Sequence, residues 1–138
     1  MSIKRKAEAK WSGNGKSGKG HLSLESKVLE NTPYSFSTRF EDEKGTNPEE
    51  LIGAAHAGCF SMKLAFVLQE NDLVADEIHT ESTVHLNEGK INQVELNLRA
   101  KIDGVSEDKF QSMANEAKDN CPISKLFKSD IVLNARLE

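Results

Sequence analysis

The sequence has few cysteines, few aromatic residues and no long apolar run. Of its 138 residues only two are cysteine, three are proline, and tryptophan and tyrosine occur once each. No stretch of about 18 apolar residues occurs, because Lys63, Gln69 and Glu70 interrupt the longest candidate. No apolar segment of the length found in signal peptides follows the basic N-terminus. We therefore expect a soluble, cytoplasmic protein with no membrane partner.

Excess charge of either sign is also lacking. The chain has 18 basic and 22 acidic residues, for a formal net charge of −4. Nucleic-acid-binding domains usually carry a broad basic patch, whereas the basic cluster Lys4–Lys6 is short and is soon followed by Glu8. This balance argues against a nucleic-acid partner. No motif for a flavin, a haem or a nucleotide is present, so we expect no cofactor, and any redox chemistry must be carried by thiols.

The pattern of apolar residues predicts one α+β domain over residues 1–138 with antiparallel sheet. A chain of this length buries about 68% of its unfolded surface, which is enough for a core without metal or disulfides. Strands and helices are segregated rather than alternating, which is typical of the α+β class. Predicted strands cover residues 3–11, 34–40, 78–86, 94–102 and 131–137, with another around Leu22 and Leu24; predicted helices cover residues 47–70 and 106–121, and a short one follows Pro122.

The first long helix has strong local signals. Asn47 is a favourable N-cap, Pro48 suits the first helical position, and Glu50 stands where a capping box places a carboxylate. Residues 51–68 are apolar around nearly the whole helix, a pattern typical of a buried helix. Small residues on this helix allow another backbone to approach closely: Gly53, Ala54, Ala57 and Gly58.

The two cysteines occupy different kinds of position. Cys59 lies in the middle of the apolar helix, where a small buried thiol is often an inert packing residue. Cys121 precedes Pro122 at a helix start, where the helix dipole and free N–H groups favour a thiolate. Cys121 can also be a buried residue that happens to precede a proline. The residues alone leave reactive and inert thiols both open.

Other polar residues near these positions have ordinary explanations as well as functional ones. His56 lies three residues before Cys59, on the same helix face, and can act as a base, a metal ligand or a satisfied core residue. A zinc site would have His56, Cys59 and Cys121 but no evident fourth ligand. Glu49 in a first helical turn stabilises the helix dipole without any further role. Arg39 can belong to the exposed face of an amphipathic strand.

Sixteen consecutive residues resemble a known signature. The stretch from Gly45 to Phe60, GTNPEELIGAAHAGCF, is similar to the signature of the OsmC/Ohr family of osmotically inducible proteins and organic hydroperoxide reductases. The pair Cys121-Pro122, before a short helix and a final strand, resembles the second cysteine motif of that family. Residues 33–40 point to the OsmC branch. The similarity runs over essentially the whole chain in the order and spacing of its elements.

The resemblance implies a function and a site. It implies a peroxidatic Cys59, a resolving Cys121, and an arginine–glutamate pair that tunes the thiolate. The glutamate is Glu49 by its position in the motif, and we assign the arginine to Arg39, with Arg5 as a competitor. The implied substrates are organic hydroperoxides and, more weakly, hydrogen peroxide, with an external dithiol as reductant. The implied fold is an intertwined homodimer with two buried central helices and sites at the subunit interface.

Two other classes of function compete with this interpretation. The same scaffold could serve as a redox-sensing or hydrophobic-ligand-binding module without significant turnover. A thiol hydrolase using Cys59 with His56 as base is a third hypothesis, although the sequence has no recognisable oxyanion-hole motif.

Overall fold

A computed structural model describes all residues, 1–138. The chain forms two compact units, Met1–Leu51 and Ile52–Glu138. Strands and helices are segregated along the chain, which confirms the predicted α+β class. The elements are β1 (Ala7–Ser12), β2 (Lys19–Leu24), β3 (Thr32–Tyr34), α1 (Phe36–Phe40), α2 (Pro48–Glu70), β4 (Ala75–Asn87), β5 (Lys90–Ile102), α3 (Glu107–Asn120), α4 (Pro122–Leu126) and β6 (Asp130–Leu137).

The first unit contains an antiparallel sheet of three short strands in the order β1-β2-β3. Gly20 on β2 pairs with Trp11 on one side and Tyr34 on the other. A Cβ atom at Gly20 would collide with both aromatic rings, whose centroids are 5.5 Å apart. Glycine at this position therefore lets the two rings pack over the sheet.

The predicted strand over residues 34–40 is wrong. The strand β3 ends at Tyr34, and Phe36–Phe40 form the short helix α1. Ser35 caps this helix through a reciprocal capping box with Thr38, with N–H to Oγ distances of 3.2 and 2.7 Å. The rings of Phe36 and Phe40 meet at 4.9 Å because residues four apart share a helix face. The prediction failed because aromatic residues at alternating positions, a pattern typical of a strand, also fit this helical spacing.

The second unit contains a mixed sheet in the order β4-β5-β6. The strands β4 and β5 form the predicted hairpin, and Glu88 and Gly89 at its turn have φ of 51° and 74°. The final strand β6 pairs with β5 in parallel, so the expectation of antiparallel sheet is wrong for this strand. Parallel neighbours require a crossover connection, and α3 and α4 supply it.

The hydrophobic core lies in the second unit. It is formed by one face of α2, the inward face of β5 and one face of α3. These apolar core residues are Phe60, Leu64, Val67, Leu68, Val94, Leu96, Leu98, Ala100, Ile102, Phe110, Met113, Ala114 and Ala117, together with Cys121. Burying a side chain of this size contributes roughly 1.5–3 kcal/mol, so the core anchors α2 along its C-terminal two thirds.

The opposite face of α2 is apolar but exposed within one chain. Its exposed residues recur at helical spacing, with Met62 65% and Phe66 51% accessible, and we call Ala54, Gly58, Met62 and Phe66 the exposed stripe of α2. By length and composition the helix could also span a membrane. Core helices of soluble proteins meet the same criterion. One chain therefore leaves one face of α2 exposed, although the sequence of this helix predicts burial on all sides.

Candidate functional site

Asn47 caps the start of α2, as the sequence predicts, but the predicted capping box with the Glu50 carboxylate does not form. The Asn47 carbonyl oxygen Oδ1 accepts a hydrogen bond from the Glu50 N–H at 2.8 Å. Thr46 donates from its hydroxyl to the Glu50 carboxylate at 2.9 Å. Since Glu50 is engaged by Thr46, the neighbouring Glu49 is the first-turn carboxylate left to bind another group.

That group is Arg39, on α1. The Arg39 guanidinium donates from Nε to Glu49 Oε1 at 2.9 Å and from Nη2 to Oε2 at 2.8 Å. This bidentate geometry is the strong form of an arginine–carboxylate pair. The hydrogen bond to Glu49 raises the pKa of Arg39, whereas burial lowers it by less. Arg5 instead donates to the neighbouring Lys4 carbonyl at 3.1 Å. The structure thus pairs Glu49 with Arg39 and not with Arg5.

The two thiols meet in the second unit. Cys59 comes from the middle of α2, and Cys121 ends α3 and begins α4. Both cysteines are free, and their sulfur atoms are hydrogen-bonded at 2.9 Å. Cys121 is completely buried, whereas Cys59 is half-buried. At this separation a disulfide needs little movement of either element.

The environment within the second unit favours the neutral thiol of Cys59 over the thiolate. Burial raises the pKa of Cys59, and the hydrogen bond with Cys121 raises it further. The backbone N–H of Ile123 and the ammonium group of Lys63 lower the pKa, but they do not offset these effects. Since the thiolate is the nucleophilic form of cysteine, strong reactivity at neutral pH requires a further positive group beside Cys59.

His56 is engaged with a residue that sequence analysis did not single out. Its Nε2 is 2.8 Å from the hydroxyl of Ser124 on α4, and both side chains are buried. Burial lowers the pKa of His56, which favours the neutral form of the ring. No sequence pattern indicates this pair, because its members are 68 positions apart along the chain. The hydrogen bond directs His56 toward Ser124 rather than toward the thiols, which weakens the hydrolase hypothesis.

The predicted site residues therefore form two local groups. Arg39 and Glu49 pair within residues 1–51, and Cys59 and Cys121 pair within residues 52–138. No group of three or more histidine, cysteine, aspartate or glutamate side chains is placed to hold a metal ion. Adjacent free thiols in an α+β fold define a class of proteins that can cycle between a dithiol and a disulfide.

The comparisons with known proteins identify the family within that class. The family model described as OsmC-like protein matches residues 41–136. The chain is 43% identical to Peroxiredoxin OsmC of Escherichia coli strain K12, over 100% of this chain and 99% of that protein. This chain belongs to the OsmC family, as its signature predicts.

More distant relatives extend the same similarity. The organic hydroperoxide resistance protein OhrB of Bacillus subtilis is 26% identical, with 86% of this chain and 89% of that protein aligned. Among solved structures, an OsmC-like protein of Mycoplasma pneumoniae matches with a TM-score of 0.78 at 12% identity, over 99% of each chain. An OsmC-like protein of Vibrio cholerae matches with a TM-score of 0.76 at 15% identity, over 97% of this chain and 99% of that one. These two structures share the fold.

Proposed function

We propose that this protein is a thiol-dependent peroxidase that reduces organic hydroperoxides, and hydrogen peroxide more weakly. The observation that carries the proposal is the pair of free thiols, Cys59 and Cys121, with sulfur atoms 2.9 Å apart. It is supported by 43% identity over the whole chain to Peroxiredoxin OsmC. The half-buried Cys59 is the attacking residue, because the completely buried Cys121 is less accessible to a peroxide.

The reaction uses each thiol once. The Cys59 thiolate attacks the O–O bond, the alcohol leaves after taking up a proton, and Cys59 becomes a sulfenic acid. Cys121 condenses with this sulfenic acid, which forms the disulfide and releases water. An external dithiol then reduces the disulfide by thiol–disulfide exchange, which returns both cysteines to the thiol form.

The attack requires a cation beside Cys59, and we assign this role to Arg39. Burial and Cys121 raise the pKa of Cys59 within its own unit, whereas a nearby guanidinium lowers the pKa of a thiol. The bidentate salt bridge with Glu49 holds the Arg39 guanidinium in one orientation. The remaining N–H groups of Arg39 are then free to donate to the peroxide oxygens.

The Arg39–Glu49 pair and Cys59 come from different subunits of a homodimer in this proposal. Glu49 and Cys59 are ten residues apart on the unbroken helix α2, about 15 Å along its axis. Their directions around the helix differ by about 80°. An antiparallel α2 from a second copy, packed on the exposed stripe, would bring Glu49 of one chain to Cys59 of the other. The same packing would cover Ala54 and Gly58 of the exposed stripe. In this proposal the dimer is soluble and cytoplasmic and binds neither membrane nor nucleic acid.

Replacing Arg39 tests its assignment. The Arg39→Ala variant should have a higher Cys59 pKa and should react with peroxide at least about tenfold more slowly at pH 7, because a neighbouring opposite charge shifts a pKa by about 1–3. Arg39→Lys should recover only part of the rate, since an ammonium group cannot form the bidentate pair with Glu49. The rate of Cys59 oxidation as a function of pH measures both quantities. A normal Arg39→Ala together with a slow Arg5→Ala would identify Arg5 as the functional arginine.

Stopped-flow oxidation distinguishes the peroxidase from the other functions. Cumene hydroperoxide should oxidise the reduced protein faster than hydrogen peroxide does, and a dithiol such as dihydrolipoamide should sustain consumption of peroxide over many cycles. One rapid oxidation without sustained consumption under any dithiol would instead indicate a redox sensor. If no peroxide oxidises Cys59, the remaining hypothesis is a hydrophobic-ligand-binding module without redox activity.

A further inference from the structure

The segment from Cys121 to Ser124 presents two side chains to α2. The Cys121 thiol donates a hydrogen bond to the Cys59 sulfur at 2.9 Å. The Ser124 hydroxyl bonds to His56 at 2.8 Å. The position of this 121–124 segment therefore decides both the distance between the thiols and the hydrogen bonding of Cys59.

Few side-chain hydrogen bonds fix the segment, although Cys121 belongs to the core, Ile123 packs against it and the Cys121 N–H donates to the Ala117 carbonyl at 3.0 Å. The helix α4 has five residues, and Cys121 makes no side-chain capping bond at its start. A single helical turn has almost no stability of its own, so α4 needs contacts from other elements to hold one orientation. Pro122 restricts its own φ but contributes no backbone hydrogen bond.

Apart from the bond between the thiols, the hydrogen bond between His56 and Ser124 is the side-chain hydrogen bond that joins the segment to α2. His56 is 0% exposed and Ser124 is 7% exposed, and the imidazole meets the ring of Phe127 edge-on at 5.0 Å. The other ring nitrogen, Nδ1, has no hydrogen-bond partner. Displacing Ser124 would leave the buried imidazole with no partner at all, which is costly in a low-dielectric interior.

We propose that His56 is a positioning residue that, through Ser124, fixes the 121–124 segment against α2 and so sets the effective concentration of Cys121 at Cys59. This inference rests on the proposed function, in which Cys121 resolves the sulfenic acid of Cys59. His56 forms and breaks no covalent bond in that step. The S–S bond forms between the two cysteines, the S–O bond of Cys59 breaks, and the hydroxyl group leaves as water with the Cys121 proton.

The equilibrium between the protein disulfide and dithiothreitol tests the inference without any peroxide. An intramolecular disulfide is stable in proportion to the effective concentration of its two thiols. Ser124→Ala removes the hydroxyl, and His56→Phe keeps a ring against Phe127 but removes the hydrogen bond. In each variant the equilibrium constant for forming the Cys59–Cys121 disulfide should fall by about tenfold, the effect expected for one buried hydrogen bond.

Two further variants separate positioning from general loss of stability. His56→Gln places an amide nitrogen near the position of Nε2 and should restore the equilibrium constant to within about threefold of wild type. Ser61→Ala is the matched control, because it removes a 2.7 Å hydrogen bond from α2 to Thr80 on β4 without touching the 121–124 segment. Its equilibrium constant should equal that of wild type.

The outcomes are distinct. Wild-type equilibrium constants in folded Ser124→Ala and His56→Phe would overturn the inference, as would an equal decrease in Ser61→Ala. Should His56→Phe fail to fold by circular dichroism, Ser124→Ala alone decides. If wild type forms the disulfide with oxidised dithiothreitol but not with a peroxide, the proposed peroxidase function fails while the dithiothreitol equilibrium still decides the role of His56.

Discussion

Cys59→Ser should abolish peroxide reduction, and Cys121→Ser should consume only about one to two equivalents of peroxide per chain and then stop. A serine hydroxyl is not ionised near neutral pH, so Cys59→Ser lacks the nucleophile. In Cys121→Ser the first attack remains possible, but the sulfenic acid has no thiol 2.9 Å away to condense with. It should persist or be oxidised further to the sulfinic acid.

Mass spectrometry after stoichiometric peroxide measures this difference directly. Wild type should lose two hydrogen atoms as it forms the disulfide, whereas Cys121→Ser should gain one or more oxygen atoms. Turnover with a dithiol donor gives the second readout. Multiple-turnover activity of Cys121→Ser equal to that of wild type would remove Cys121 from the resolving role and leave the external thiol to react with the sulfenic acid.

Mixing two inactive variants should recover activity if the site is shared between subunits. In a heterodimer of Glu49→Ala and Cys59→Ser chains, one site would combine intact Glu49 with intact Cys59, and the other would have neither. Such a heterodimer should have about half the activity of a wild-type dimer, because a two-fold axis creates two equivalent sites. Subunits are exchanged by joint refolding, and differently tagged chains allow the heterodimer to be purified.

The two thiols provide the matched control for this experiment. Cys59 and Cys121 pair within one chain, so a heterodimer of Cys59→Ser and Cys121→Ser chains has no chain with both thiols. It should stay inactive in multiple turnover. Inactivity of the Glu49→Ala and Cys59→Ser mixture, in confirmed heterodimers, would mean that Glu49 serves the Cys59 of its own chain. A sedimentation coefficient of a monomer at working concentrations would exclude the shared site altogether.

The parts of the fold that local chemistry determines could be predicted from the sequence. The bounds of α2 follow from Asn47 and Pro48 at one end and from polar residues at the other, and the hairpin of β4 and β5 follows from Glu88-Gly89. The strand predicted over residues 34–40 failed because two local patterns compete there. Aromatic alternation favours a strand, but the capping bonds of Ser35 with Thr38 favour the helix α1.

Contacts between distant parts of the chain could not be predicted in the same way. The parallel pairing of β6 with β5 depends on where α3 and α4 deliver the chain, and periodicity contains no information on strand direction. In the candidate site, too, the residue identities could be predicted from the sequence but the contacts between them could not. The resemblance indicated which cysteines, arginine and glutamate to consider. Only the folded chain shows the bidentate Arg39–Glu49 pair and the hydrogen bond between His56 and Ser124.

The unequal burial of the two sulfur atoms determines how the disulfide would be reopened. Cys121 is completely enclosed, whereas Cys59 is partly accessible. Thiol–disulfide exchange requires the incoming thiolate to approach the attacked sulfur. The external dithiol would therefore attack Cys59, release Cys121 as the leaving thiolate and remain attached to α2 as a mixed disulfide. Its second thiol would then complete the exchange, so a dithiol suits this geometry better than a monothiol does.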